Sequence, residues 1–310
     1  MFVELHAKTN IGRVRSGNED NFLVLDLSAP NRAWTGSDAE HPPEGLSRFE
    51  VGDKGLVLVV SDGMGGALAG DVASRMAVET VRDMLAGEDE DGAGPCDDGA
   101  PLLECLKNAT DYANFAIHRR SQEDPRCSGM GATLTAAAVT AEGVSLLQVG
   151  DSRGYIIRAG QIKLATKDQS LVQQLVDVGQ ISEQEAETHM FRNVILQALG
   201  AQPELQPVTG RVRVCRGDIL LLCSDGLSGK LRGEDMLRIV TESDGDLERA
   251  CAALVDEANE RGGEDNITVV LARLTGDDLP GPNTDRITVE LPPAEADDTI
   301  GHEEDTTERL

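Results

Sequence analysis

Two runs of strand-forming apolar residues end in the same tripeptide. LVLVV (56–60) leads into Ser61-Asp62-Gly63, and ILLLC (219–223) leads into Ser224-Asp225-Gly226. A carboxylate at the tip of a buried strand is costly unless a partner offsets its charge. The glycine after it lets the backbone turn sharply and leaves room for something to approach closely. Three more acidic segments flank apolar strands: Glu19-Asp20 before NFLVLDL, Glu264-Asp265 before ITVVLA, and Gly150-Asp151 after VSLLQV. A lone Asp-Gly is more often an ordinary turn. Five acidic strand ends with almost no lysine beside them instead have the chemistry of a hard-cation site, because Mg²⁺ and Mn²⁺ take carboxylate, carbonyl and water oxygens.

The elements that must hold these groups follow from the apolar pattern. Over 70–86, Val72, Met76, Ala77, Val81, Met84 and Leu85 recur at helical spacing and stop at Gly87. An acidic glycine-rich loop (87–100) follows, and Pro101 opens a second helix with Leu102, Leu103, Leu106, Ala109, Ala113, Ala116 and Ile117 on one side. Residues 132–164 read as successive short antiparallel strands. Ser170-x-x-Gln173 and Ser182-x-x-Glu185 are two capping boxes separated by Gly179, predicting two short helices in a flap at about 166–199. Helices near 234–242 and 246–261 precede the last strand, ITVVLARL. Strand blocks with segregated helix pairs indicate an α+β layered domain over residues 1–275. Residues 27–54 form a poorly patterned insertion. From 276 to 310 an acidic segment with four prolines reads as a disordered tail.

Composition narrows the function further. The 310 residues are 40% hydrophobic but hold one Trp, two Tyr and five Phe, so the core must rest on Leu, Val, Ile and Ala. A net charge of −27 argues against nucleic acid or an anionic membrane as partner. Six cysteines without a regular framework read as thiols, with Cys105 and Cys223 among apolar neighbours. With no signal sequence or membrane-length apolar run, the expected location is the cytoplasm.

The order of motifs resembles the metal-dependent protein phosphatase type 2C family. Those motifs are Arg15-x-x-Asn18-Glu19-Asp20, Asp62-Gly63-Met64-Gly65-Gly66, Gly131-Ala132-Thr133, Gly150-Asp151-Ser152-Arg153, Ser224-Asp225-Gly226 and Asp265-Asn266-Ile267-Thr268. Lys167-Asp168-Gln169-Ser170 with Arg192-Asn193-Val194-Ile195 is similar to the flap of its bacterial members. The resemblance implies two antiparallel β-sheets packed face to face, flanked by helix pairs, with two Mn²⁺ or Mg²⁺ ions in a cleft at one end. It implies that Asp62 bridges the ions, that the Gly63 carbonyl, Asp225 and Asp265 ligate them, and that Glu19 and Asp20 act through bound water. Arg15 would grip the substrate phosphate, and Asp151 would belong to a third ion site. The implied activity is hydrolysis of phosphoserine and phosphothreonine in proteins by a monomer that opposes a serine/threonine kinase. A catalytically weak or silent phosphoprotein-binding scaffold is the competing reading.

The chain departs from that family in four places. Met64 and Ala67 stand where members often carry a histidine able to protonate the leaving oxygen, which leaves His189 on the flap, or a metal-bound water, as the substitute, or else a slower step. Gln169 replaces the histidine common in the flap, and Gly229 stands where some members place an Asp of the third ion site.

Overall fold

In the computed structural model, residues 1–29, 32–36, 41–65, 69–87, 100–281 and 287–290 are described. They build two sheets that face each other. One runs in the order β10 (Gln161–Leu164), β9 (Arg153–Arg158), β12 (Ile219–Cys223), β13 (Ile267–Thr275), β1 (Phe2–Asn10), β4 (Arg48–Glu50). The other runs β14 (Val289–Glu290), β11 (Val208–Val212), β8 (Gly143–Val149), β7 (Leu134–Thr140), β5 (Leu56–Met64), β2 (Asp20–Asp26), β3 (Ala33–Thr35), and the short β6 (Gly131–Ala132) pairs the far end of β5. Neighbouring strands are antiparallel, as expected.

The uninterrupted apolar runs follow from what covers each face. Along β5, Leu56, Leu58 and Val60 point between the sheets, where they meet Leu220, Leu222, Val270 and Ala272. Val57 and Val59 point outward against α1 (Ala69–Ala86) and α2 (Leu102–Glu123). On the opposite sheet, Leu221, Val269 and Leu271 pack under α6 (Gly233–Glu242) and α7 (Leu247–Glu260). Both faces of the central strands are dry, so the usual polar alternation of an antiparallel strand disappears. The flap carries α3 (Leu171–Asp177) and α4 (Glu183–Thr188), neither with a buried residue. The capping box at Ser182 is complete. At Ser170 only half of it forms, because the Gln173 amide turns to Asp177 Oδ1 at 3.0 Å.

Three expectations are corrected. The 27–54 segment is not merely an insertion: it supplies the edge strands β3 and β4, and Trp34 is 1% exposed with Phe22 and His6 edge-on to its ring. The folded unit does not end at 275, because Leu279 and Ile287 are buried in the core between the sheets and β14 pairs with β11. The rest of the expected tail, 282–286 and 291–310, lies outside the described residues. Cys105 is disulfide-bonded rather than a free thiol. No helix among the described residues is long and apolar enough to cross a membrane.

Burial beyond 275 is open to a direct check. Truncation after Thr275 removes Leu279 and Ile287 and is expected to cost about 2–5 kcal/mol, the range for deleting a large buried aliphatic side chain. A urea-unfolding midpoint equal to that of the full chain would refute it.

Candidate metal centre

The acidic residues meet because antiparallel pairing brings strand starts and strand ends to one edge of the sandwich. Asp20 opens β2 and lies directly opposite Asp62 in β5. The first tripeptide is therefore not a strand end, since β5 continues through Gly63 to Met64. The second is: β12 stops at Cys223, and Asp225 begins the one-turn helix α5 (Asp225–Ser228). Asp265 leads into β13, and Asp151 sits in the crossover that takes the chain from β8 in one sheet to β9 in the other. Asp225 acts on Asp62 across the cleft between the sheets and disfavours its charge.

Both tripeptide glycines are required for close approach rather than for turning. A Cβ on Gly63 would lie 2.1 Å from the Gly70 carbonyl oxygen at the start of α1, and one on Gly226 would lie 1.9 Å from the Asn266 carbonyl oxygen. What approaches is backbone, so each glycine lets its aspartate sit tight against the next element.

Hydroxyls and amides hold the carboxylates in place. Ser224 Oγ donates to Asp20 Oδ2 at 2.7 Å and accepts the Thr268 N–H at 2.9 Å, which ties the two sheets together. Asp62 N–H donates to Thr133 Oγ1 at 3.0 Å, and Thr133 Oγ1 lies 2.8 Å from Ser152 Oγ. Asn266 accepts the Glu19 N–H through Oδ1 and donates through Nδ2 to the carbonyls of Ile11 and Gly17. These positioning residues were not assigned from sequence. The signal was present, since each lies within one of the motifs, but nothing in the order of residues says which acid it serves.

The electrostatics are those of crowded anions. Asp20 is fully buried, and its pKa is pushed up to about 7 chiefly by burial, against the hydrogen bond from Ser224. Burial, then Asp20 and Asp225, hold Asp62 well above the ordinary carboxyl range. Burial and Asp265 raise Asp225. Burial and Asp225 push Asp151 up to about 7, and burial raises Glu19. Among the described residues no Lys or Arg forms an ion pair with Asp20, Asp62, Asp151 or Asp225. Arg15 Nη2 instead bonds Asp265 Oδ2 at 2.8 Å, with its side chain 49% exposed.

These groups suit a hard divalent cation. Asp20 Oδ1 and Asp225 Oδ1 are buried without any hydrogen-bond partner, and the donors on offer are all oxygens. Among the described residues no three His, Cys, Asp or Glu side chains converge on one point. Mg²⁺-like ions need only one or two carboxylates and complete their shell with other oxygens.

The departures from the motif pattern also find their places. Met64 ends β5 opposite Gly131, whereas Ala67 lies outside the described residues. Gly229 caps α5, donating its N–H to the Asp225 carbonyl at 2.7 Å. His189 Nδ1 accepts the Phe191 N–H at 3.2 Å and its ring packs on Phe191. Asp168 is taken up in a two-pronged pair with Arg153.

Comparison with known proteins places these features. A protein phosphatase 2C family model matches residues 45–271. The serine/threonine phosphatase stp of Listeria innocua is 34% identical over 276 residues, covering 86% of this chain and 95% of that protein. The serine/threonine protein phosphatase PstP of Mycobacterium tuberculosis is 38% identical over 216 residues, 70% of this chain but 40% of that protein. A crystal structure of the M. tuberculosis PstP/Ppp phosphatase superposes with a TM-score of 0.71 at 32% identity, covering 89% of this chain and all of that one. The catalytic domain of PstP in complex with two manganese ions superposes at 0.68 and 31% identity, covering 89% and 99%.

The crowding has a thermodynamic signature. An unfolded Asp titrates near pH ~3.9, so between about pH 4 and about pH 7 the fold binds more protons than the unfolded chain, and its stability falls as pH rises through that window. Protein held in chelator should lose melting temperature from pH 4 to pH 7, and Mn²⁺ should abolish the loss, since metal replaces the protons. A melting temperature that rises over this window in chelator would contradict the shared cluster.

Proposed function

Because the chain belongs to the protein phosphatase 2C family, we propose that its acidic cleft hydrolyses phosphoserine and phosphothreonine in proteins at a dinuclear Mn²⁺ or Mg²⁺ site. The enzyme is a metal-dependent protein serine/threonine phosphatase. The observation that carries the site assignment is Asp20 lying opposite Asp62, with Asp225 acting on Asp62 and two carboxylate oxygens, Asp20 Oδ1 and Asp225 Oδ1, left buried without partners.

Asp62, the Gly63 carbonyl, Asp225 and Asp265 would hold the two ions, with Glu19 and Asp20 acting through water. When bound, such a pair of ions lowers the pKa of water enough to supply hydroxide at neutral pH and neutralises charge on the phosphoryl oxygens. Asp20 is suited to orienting a water molecule, because Ser224 fixes one carboxylate oxygen and leaves Oδ1 without a protein partner. Arg15 is suited to the substrate phosphate. Its exposed pair with Asp265 is worth at most about 1 kcal/mol, whereas a phosphate offers the guanidinium two parallel hydrogen bonds. Asp151 remains for a third ion, where Gly229 withholds a carboxylate. With Met64 at the end of β5 where family members often carry a histidine, water is assigned to protonate the leaving serine or threonine oxygen.

The substrates are phosphoproteins, and a serine/threonine kinase that installs their phosphates is the implied counterpart. We assign the enzyme as a monomer acting in the cytoplasm.

Titrating Mn²⁺ into hydrolysis of a phosphothreonine peptide tests the reading, because a silent scaffold would show no metal-dependent turnover. Asp62→Asn should remove that turnover while the fold stays intact; unchanged turnover would sink the ligand assignment. Arg15→Ala should raise KM for the phosphopeptide by about 10-fold or more, the worth of a charge-assisted hydrogen bond, without lowering thermal stability. A purely structural arginine would show the reverse.

A further inference from the structure

The flap, whose two helices bury no residue, is anchored at both ends on the backbone that bears the acidic cluster. At its exit, Leu199 exchanges two hydrogen bonds with Ala132, at 3.1 and 2.8 Å, and Ala132 pairs with Gly63. At its entrance stands Gln169. Its Oε1 accepts the Gly150 N–H at 2.9 Å, its own N–H donates to the Gly150 carbonyl at 2.8 Å, and its Nε2 donates to the Gln206 carbonyl at 2.8 Å. Its carbonyl also accepts the Leu196 N–H at 2.8 Å, on the returning limb of the flap. One residue thus joins the Gly150-Asp151 turn, the returning limb and the chain beyond the flap.

The side chain's chemistry matches this position. Gly150 offers a donor and Gln206 an acceptor, so the group between them must accept at one atom and donate at another. A primary amide does both in one orientation and carries no charge. A carboxylate could accept from Gly150 but would face the Gln206 carbonyl with nothing to donate, and an aliphatic group could do neither. An ion pair beside it, Arg153 Nη2 to Asp168 Oδ2 at 2.7 Å, links the same two segments. Gly150 has φ +97°, and a Cβ there would lie 2.7 Å from the Thr133 side chain, so this turn has little freedom to follow a displaced flap.

We propose that Gln169 is a positioning residue whose amide locks the flap entrance onto the Gly150-Asp151 turn and so sets where a phosphoprotein substrate meets the cleft. The proposal rests on the phosphatase reading for its effect on catalysis, but the clasp itself is measurable without turnover. Gln169→Leu and Gln169→Glu should raise KM for a phosphothreonine peptide by about tenfold, the worth of one or two lost hydrogen bonds. Hydrolysis of p-nitrophenyl phosphate, too small to need the flap, should stay within about twofold. Gln169→His at pH 8, where a neutral imidazole accepts at one nitrogen and donates at the other, should restore the peptide KM. In parallel, amide hydrogen exchange at Gly150 should speed up in the Leu variant and remain protected in the His variant. Equal losses on both substrates, or a peptide KM and Gly150 protection unchanged in the Leu and Glu variants, would overturn the proposal. If the Leu variant fails to fold, the contrast between Glu and His decides alone. Wild-type protein inert toward both substrates with Mn²⁺ would sink the phosphatase reading, while exchange at Gly150 would still report on the clasp.

Discussion

Everything about this cleft depends on carboxylates being held close to one another against their mutual repulsion. Asp20, Asp62, Asp225 and Asp151 each bind a proton more tightly than a free aspartate because burial and neighbouring acids disfavour the charge. Buried anions of this kind normally find a basic partner, yet the nearby cations are committed elsewhere. Arg15 goes to Asp265 and Arg153 goes to Asp168. The cost is therefore left for a divalent cation to offset, and the rest of the structure serves to keep the acids from moving apart.

Rigidity comes from the packing behind them. The central strands are covered on both faces, so sliding one past another would expose apolar surface on two sides at once. Two tight glycine contacts and a web of Ser, Thr and Asn hydrogen bonds transmit that rigidity to the aspartates. The flap stands in contrast. Its helices bury nothing; it is held at its two ends, by hydrogen bonds and by Leu199 buried in the core, with a further pair between Arg232 and Glu187 at 2.5 Å. A firm acidic platform under a cover whose helices are unburied leaves the cover the more mobile of the two.

Much of the fold was readable along the chain, and the reasons are local. Helical periodicity over 70–86 and the Ser182 capping box depend only on residues a few positions apart, and both formed as expected. The 27–54 segment was not readable, because strands of three residues carry no periodicity and gain their stability only by adding to an existing sheet edge. The segment beyond 275 was misjudged for a related reason. Its acidic composition reads as solvated chain, while Leu279 and Ile287 enter a core contributed by residues far away in sequence. Gln169 looked like a lost histidine, and only its three-dimensional neighbours reveal the donor and acceptor it serves.

What the sequence by itself determined is the inventory: which acids end or begin apolar strands, which glycines follow them, and hence an oxygen-rich site for a hard cation. Those features are written in residue type and spacing. Only the tertiary structure decided how the inventory is shared out. The two Ser-Asp-Gly tripeptides look identical in sequence, yet Asp62 lies within a strand opposite Asp20, while Asp225 starts a helical turn beyond its strand. Ser61 donates to the Thr133 carbonyl, whereas Ser224 reaches across to Asp20. The difference arises because one strand belongs to each sheet. Facing sheets place different neighbours beside equal residues, and no local pattern encodes what lies across the gap.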